Sequence, residues 1–177
     1  MIVAIVGLFD SKFIREIHKW QKAMVDAGVS DHTLQSRIGP HLTFVGFETE
    51  NEALVSDFLE GEFQTWNDGS ISLKISSLGV FPYKKKVVFA QPVPSQLWME
   101  VHKRILQVCL KAGQVIEQYH LSGNWVPHIS LASRLTAKEV LLANEVLLGK
   151  FNPLQGKINR LAIIDCEVEE ILWEHEL

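Results

Sequence analysis

The strongest constraint in this sequence is that it states one pattern twice. Pro40-His41-Leu42-Thr43-Phe44 returns as Pro127-His128-Ile129-Ser130-Leu131, 87 residues further along. Both strings read proline, histidine, apolar, hydroxyl, apolar. Thr49 and Thr136 are separated by the same 87 residues, and so are Glu52 and Glu139. Each Thr-x-x-Glu has the form of a capping box that opens a helix. The β-rich stretches that start at 71 and 157 are 86 residues apart, and those that start at 2 and 87 are 85 apart. Two copies are too few for a solenoid. They specify two similar lobes facing each other across a pseudo-twofold axis, in a single bilobal domain over 1–177 with halves of roughly 1–85 and 86–177.

Periodicity fills in the repeat unit. Ile2–Leu8 reads as a buried strand. Residues 12–27 carry Phe13, Ile17, Trp20, Met24 and Ala27 at helical spacing, with Asp10 or Ser11 as cap and Gly28 as stop. A polar loop over 29–40 leads to a strand at His41–Phe47, a helix over 50–65, and a strand at Ile71–Ser77. After the loop 79–86 the order repeats. A strand at Val87–Gln91 precedes a helix over 96–112 opened by Pro94 and Ser95, then a strand at His128–Ala132 and a helix from Thr136 to about Leu148. Strands over 157–165 and 170–176 close the fold. The last one interleaves Glu170, Glu174 and Glu176 with apolar residues, as a charged edge strand does. The expected class is α/β (α+β): two pseudo-symmetric lobes, each an antiparallel sheet flanked by helices, with the active groove between them.

Composition narrows the function. Hydrophobic residues make up 47% of the 177 and charged residues 21%, which excludes a disordered or collagen-like chain. The net charge is −4, with −2 in residues 1–88 and −2 in residues 89–177, so no basic face is available to coat duplex DNA. Cys109 and Cys166 have no metal-binding or disulfide spacing and read as free thiols of a reducing cytoplasm. The apolar run at 2–9 lacks a basic flank and a cleavage site, so it is a strand and not a signal; nothing approaches a membrane span. No HExxH, glycine-rich phosphate loop or paired-Asp metal motif occurs, so no metal and no cofactor are expected.

The repeated string carries chemistry because of strand geometry. Side chains two apart share a face. His41 therefore projects with Thr43, and His128 with Ser130, while Leu42, Phe44, Ile129 and Leu131 turn into the core. Facing lobes bring two imidazoles and two hydroxyls to one groove. Histidine titrates near neutrality, so one can act as base while the other acts as acid. The hydroxyls can donate to an anionic oxygen. That set suits a phosphate ester.

On these residues the chain resembles the two-histidine (2H) phosphoesterase superfamily, which includes 2′-5′ RNA ligases and 2′,3′-cyclic nucleotide phosphodiesterases. The family motif is a pair of His-x-Thr/Ser-x tetrads, here His41-Leu42-Thr43-Phe44 and His128-Ile129-Ser130-Leu131. The resemblance spans nearly the whole chain. It implies a metal-independent phosphoesterase for 2′,3′-cyclic phosphate ends of RNA or small cyclic nucleotides, with His41 and His128 catalytic and Thr43 and Ser130 on the phosphate. It equally admits ligase-type activity in the same groove, or a nucleotide-binding module without turnover. The expected partner is a nucleotide or RNA end, taken up by a monomer. Many members follow the second tetrad with Ala-Arg; here the order is Ala132-Ser133-Arg134, which moves the arginine by one position.

Five further residues are candidates for substrate binding, each with a plainer alternative. Phe81 and Tyr83, beside Lys84–Lys86, either stack a base or form a packed turn. Trp125 either floors a base pocket or belongs to the core. Arg37 and Arg134 either reach phosphate or stay at the surface. His18 and His102, on helices with charged neighbours, are expected to be solvated; His32, His120 and His175 have no motif around them.

Overall fold

Each half of the repeat folds as strand, helix, strand, helix, strand. In the computed structural model, which describes residues 1–64, 66 and 69–177, the first half gives β1 (Ile2–Phe9), α1 (Ser11–Asp26), β2 (His41–Glu48), α2 (Glu52–Phe63) and β3 (Ile71–Phe81). The second gives β4 (Lys86–Pro92), α3 (Gln96–Lys111), β5 (Ile129–Leu135), α4 (Ala137–Leu148) and β6 (Leu154–Asp165), and β7 (Glu170–Glu176) follows. A single 3-10 turn, Gln118–His120, interrupts the loop before β5. Residue 65, the end of the helix expected over 50–65, lies outside the described residues.

Local chemistry sets the helix ends. Asp10 is the cap of α1: its carboxylate accepts from the Phe13 N–H at 2.9 Å and from the Lys157 N–H at 2.8 Å, tying the helix start to β6. The chain leaves α1 through Gly28, whose φ of +102° suits a residue without Cβ. Ser95 caps α3, and Thr136 and Glu139 form the full reciprocal box at α4. Thr49 is not the cap of the second helix. Thr49 exchanges backbone hydrogen bonds with Met1, which extends the β1–β2 pairing, so α2 starts later with Asn51 as its cap. The Thr49 hydroxyl instead accepts from the Asn51 N–H at 3.2 Å.

All strand pairs are antiparallel, and the sheet order is β2-β1-β6-β3-β4-β5 with β7 added to β6. Exchanging each strand of one half for its counterpart in the other reverses this order onto itself, so the pseudo-twofold axis passes between β6 and β3. The lobes are therefore not the sequence halves: the third strand of each half crosses into the other lobe. One twelve-residue strand makes this possible. Leu154–Ile158 of β6 pair with β3, and Ile158–Asp165 pair with β1 and β7. The two sheets expected from sequence are thus the two ends of one curved sheet, whose end strands β2 and β5 come within 8 Å of each other between Cα atoms. Helices pair across the halves, α1 with α4 and α2 with α3. Among the described residues, no helix is long and apolar enough to cross a membrane.

The core lies between these helices and the sheet, around Phe9, Phe13, Phe44, Phe63 and Trp98, all fully buried. Trp98 donates its indole N–H to the Ser72 carbonyl at 2.9 Å, so its one polar atom is satisfied. Phe13 packs directly on Gly156 of β6, where a methyl group would overlap its ring. Gly156→Ala is expected to destabilise the protein by roughly 1–3 kcal/mol through overpacking, read as a lower midpoint in urea unfolding.

Candidate active site

The two motifs occupy the two end strands. His41 opens β2, and His128 immediately precedes β5. Leu42, Phe44, Ile129 and Leu131 are buried, while His41, Thr43, His128 and Ser130 are half-buried, the same alternation in both copies.

Proline sets each histidine. The residue before Pro40 is Gly39, and the residue before Pro127 is Val126. His41 donates its Nδ1–H to the Gly39 carbonyl at 2.9 Å, and His128 donates its Nδ1–H to the Val126 carbonyl at 2.9 Å. A carbonyl only accepts, so Nδ1 must carry the proton and Nε2 of each neutral ring keeps its lone pair. Over the motif, each end strand has a β neighbour on one side only among the described residues. Side chains from the opposite half meet the carbonyls there: the Trp125 indole donates to Thr43 O at 3.0 Å, and the Gln21 amide donates to Ser130 O at 3.4 Å.

Burial lowers the pKa of both motif histidines below the usual 6.5. For His41 the Gly39 carbonyl opposes this, His128 adds to it, and the Glu169 carboxylate works against it; for His128 the Val126 carbonyl is the opposing influence. The influence of His128 on His41 marks the two rings as neighbours. Unliganded, both are neutral at pH 7, each with a free Nε2. An anion between them favours imidazolium and reverses the shift.

Three cavities border the pair; one of about 300 Å³ is shared by Thr43 and His128 with His120, Glu117 and Glu48, and the other two differ in character. One of about 400 Å³ holds Thr43 and His128 with Phe81, Tyr83, Tyr119, His120 and Trp125. The other, of about 170 Å³, holds His41 and Ser130 with His32, Thr33, Ser133 and Glu169. A larger depression of about 670 Å³ beside Asp10, Lys74 and Ser95 contains none of the motif residues. Among the described residues, no three His, Cys, Asp or Glu side chains converge as a metal site.

Of the remaining candidates, Phe81 lies 4.8 Å edge-on to His128 and 4.4 Å from Phe89. Tyr83 lines the larger cavity and is 72% exposed. Trp125 lines the same cavity but is engaged by other rings: Phe44 packs against it at 5.7 Å, and His102 stacks on it at 4.1 Å with the rings 3° apart. Arg37 is exposed and lines neither cavity; its backbone N–H donates to Glu169 at 3.0 Å. Arg134 is also exposed and in neither cavity. It sits where the β4–β5 register slips, with φ of +59°, so a bulge and not simple alternation decides its direction.

Sequence reasoning missed four residues. His102 is not solvated but fully buried, and donates its Nε2–H to the His120 carbonyl at 2.9 Å. Its position among Trp98, Val101, Ile105 and Cys109 on the inward stripe of α3 was the available signal. Tyr119 and His120 join the larger cavity from the 3-10 turn. Glu169 joins the smaller one from the β6–β7 turn. These last three carry no local sequence signal.

Burial also lowers the pKa of His102 and His120. The unfolded chain keeps histidines near 6.5. As pH falls through 6.5 the unfolded state binds more protons, so the stability these groups contribute above that pH is lost on acidification. The urea-unfolding free energy is expected to fall between pH 7 and pH 5, where histidine is the side chain that titrates. In His102→Phe, which keeps a ring against Trp125 but removes one buried imidazole, the decline is expected to be shallower. Stability that rises toward pH 5 contradicts this.

Known proteins share this architecture. The sequence profile of the 2′-5′ RNA ligase superfamily matches residues 9–169. No curated protein sequence matches the chain. Among solved structures, TT0787 of Thermus thermophilus is similar over 100% of this chain and 98% of its own, with a TM-score of 0.65 at 14% identity. LigT of E. coli, in complex with 3′-AMP, is similar over 99% and 96%, with a TM-score of 0.63 at 11% identity. The PDE domain of MHV ns2 is similar over 93% and 99%, with a TM-score of 0.59 at 13% identity. At these identities the structures speak for the fold, and the profile match over most of the chain speaks for the family: this chain belongs to the 2′-5′ RNA ligase superfamily.

Proposed function

We propose that the groove opens 2′,3′-cyclic phosphates at RNA ends or on small nucleotides, with His41 and His128 as the acid–base pair and Thr43 and Ser130 as donors to the phosphoryl oxygens. One observation carries this reading. The two imidazoles are matched: each commits Nδ1 to a backbone carbonyl two residues upstream and keeps Nε2 free, on the facing ends of one sheet.

The chemistry follows from those two nitrogens. One neutral Nε2 takes a proton from water as the water oxygen bonds to phosphorus. The other ring, protonated, gives its Nε2 proton to the ribose oxygen whose bond to phosphorus breaks. The products are a ribose phosphomonoester and a free ribose hydroxyl, and the proton inventory balances across the pair. The Thr43 and Ser130 hydroxyls donate to the oxygens where charge grows. The aromatic cavity beside His128 suits the base: Tyr83 is 72% exposed and Tyr119 55% exposed, whereas Trp125 is already stacked on His102. The relative LigT was crystallised with 3′-AMP, which is a ribose phosphomonoester of the product class.

The test is turnover of 2′,3′-cyclic nucleotides with product analysis. His41→Ala and His128→Ala are each expected to lose roughly 10²–10⁴ in turnover, and Thr43→Ala and Ser130→Ala roughly 10–10³, with little change in Tm. EDTA is expected to have no effect, because side chains perform both proton transfers. In pH, kcat/KM is expected to follow a bell centred on the acid side of 6.5, since burial lowers both groups in the free enzyme; the kcat profile moves to higher pH, since the bound anion raises them. Binding of monophosphate without turnover, or loss of activity in EDTA, contradicts the reading.

A further inference from the structure

The pseudo-twofold axis relates the two histidines, but the turns beside them break the symmetry. The turn that ends β3 lies against His128 and presents Phe81. The turn that ends β6 lies beside His41 and presents Glu169. Glu169 is one of two non-glycine residues with positive φ among the described residues, at +55°. That conformation costs energy at any residue with a Cβ, and it points to function where the side chain is engaged. Here it is engaged twice. One carboxylate oxygen accepts the Arg37 N–H at 3.0 Å, and the group lines the cavity that His41 and Ser130 share.

The Arg37 contact reaches the imidazole through the turn between them. Gly39 N–H bonds to Ser36 O at 3.3 Å, and Gly39 O receives the His41 Nδ1–H. Glu169 thus pins, from 132 residues away, the short turn whose carbonyl orients the imidazole. The charged and titratable groups around His41 are His128 across the groove, His32 in the same cavity, Arg37 on the loop, and Glu169 from the β6–β7 turn.

We propose that Glu169 is the positioning residue of His41: its carboxylate holds the loop that aims the imidazole and adds a negative charge to the cavity that ring lines, so the two motif histidines are not interchangeable. The proposal rests on the acid–base reading of the groove. Glu169→Gln keeps an acceptor for the Arg37 N–H and removes the charge; Glu169→Ala removes both. The primary readout is the titration of each histidine Cε1–H by NMR in the substrate-free protein. In Glu169→Gln the His41 midpoint is expected to move to lower pH while that of His128 stays in place. In Glu169→Ala it moves likewise, and kcat for a 2′,3′-cyclic nucleotide falls roughly 10–100-fold, as expected when a reacting group loses its alignment, with KM little changed. Glu170→Gln, an equal change of charge on an exposed neighbour, is expected to move neither midpoint. An unmoved His41 midpoint in both Glu169 variants overturns the proposal, including where Tm drops, since a purely structural role predicts that result. If the wild-type protein turns over no cyclic nucleotide, the reading of the groove fails, and the titration still decides whether Glu169 acts on His41.

Discussion

Backbone pairing along β6 holds the arrangement together. Its twelve residues serve β3 with one end and β1 and β7 with the other, which fuses two pseudo-symmetric lobes into one sheet. Because the third strand of each half lies in the other lobe, neither lobe can form from one half alone. The groove inherits this constraint. It is bounded by β2 and β5, the ends of the sheet, and each has its motif carbonyl met by a side chain from the opposite half, Trp125 on Thr43 and Gln21 on Ser130. Position in the groove is therefore set by backbone geometry and cross-half hydrogen bonds, which suits groups that must meet one small ligand within hydrogen-bond reach.

On that scaffold burial and charge work against each other. Removing an imidazolium from water disfavours it, so both rings rest neutral; on the proposed reading, a phosphate diester brings the negative charge that restores the cation on one of them. At pH 7 a bound anion that reverses the burial effect does so by proton uptake, and part of its attraction to the cation is offset by that protonation. The Nδ1–carbonyl bonds leave little choice of tautomer, and Nε2 is the nitrogen left free on both sides. The flanking cavities then differ, aromatic beside His128 and polar beside His41, giving direction to a site that is otherwise symmetric.

Much of this was legible in the sequence, because the signals are local. The repeat located every strand and helix to within a few residues, and period-two alternation put His41, Thr43, His128 and Ser130 on one side of their strands. What remained hidden depends on distant partners. A repeat shows that two copies exist, not which copy receives each third strand. Thr49-x-x-Glu52 has the same form as Thr136-x-x-Glu139, but Met1 claims Thr49 for the sheet. Arg134 follows a bulge that only the β4–β5 register reveals. His102 has charged neighbours in sequence and a tryptophan against its face in space. Glu169 belongs to the site through a contact spanning 132 residues.

The central claim is that one histidine from each half acts on a single phosphoryl group. A crystal structure with a 3′-nucleotide soaked into the protein tests it most directly. The account predicts phosphate oxygens at about 3 Å from Nε2 of both His41 and His128, with the Thr43 and Ser130 hydroxyls on the same phosphate and the base between Tyr83 and Tyr119. A nucleotide whose phosphate touches one imidazole only, or lies outside the groove altogether, would contradict it.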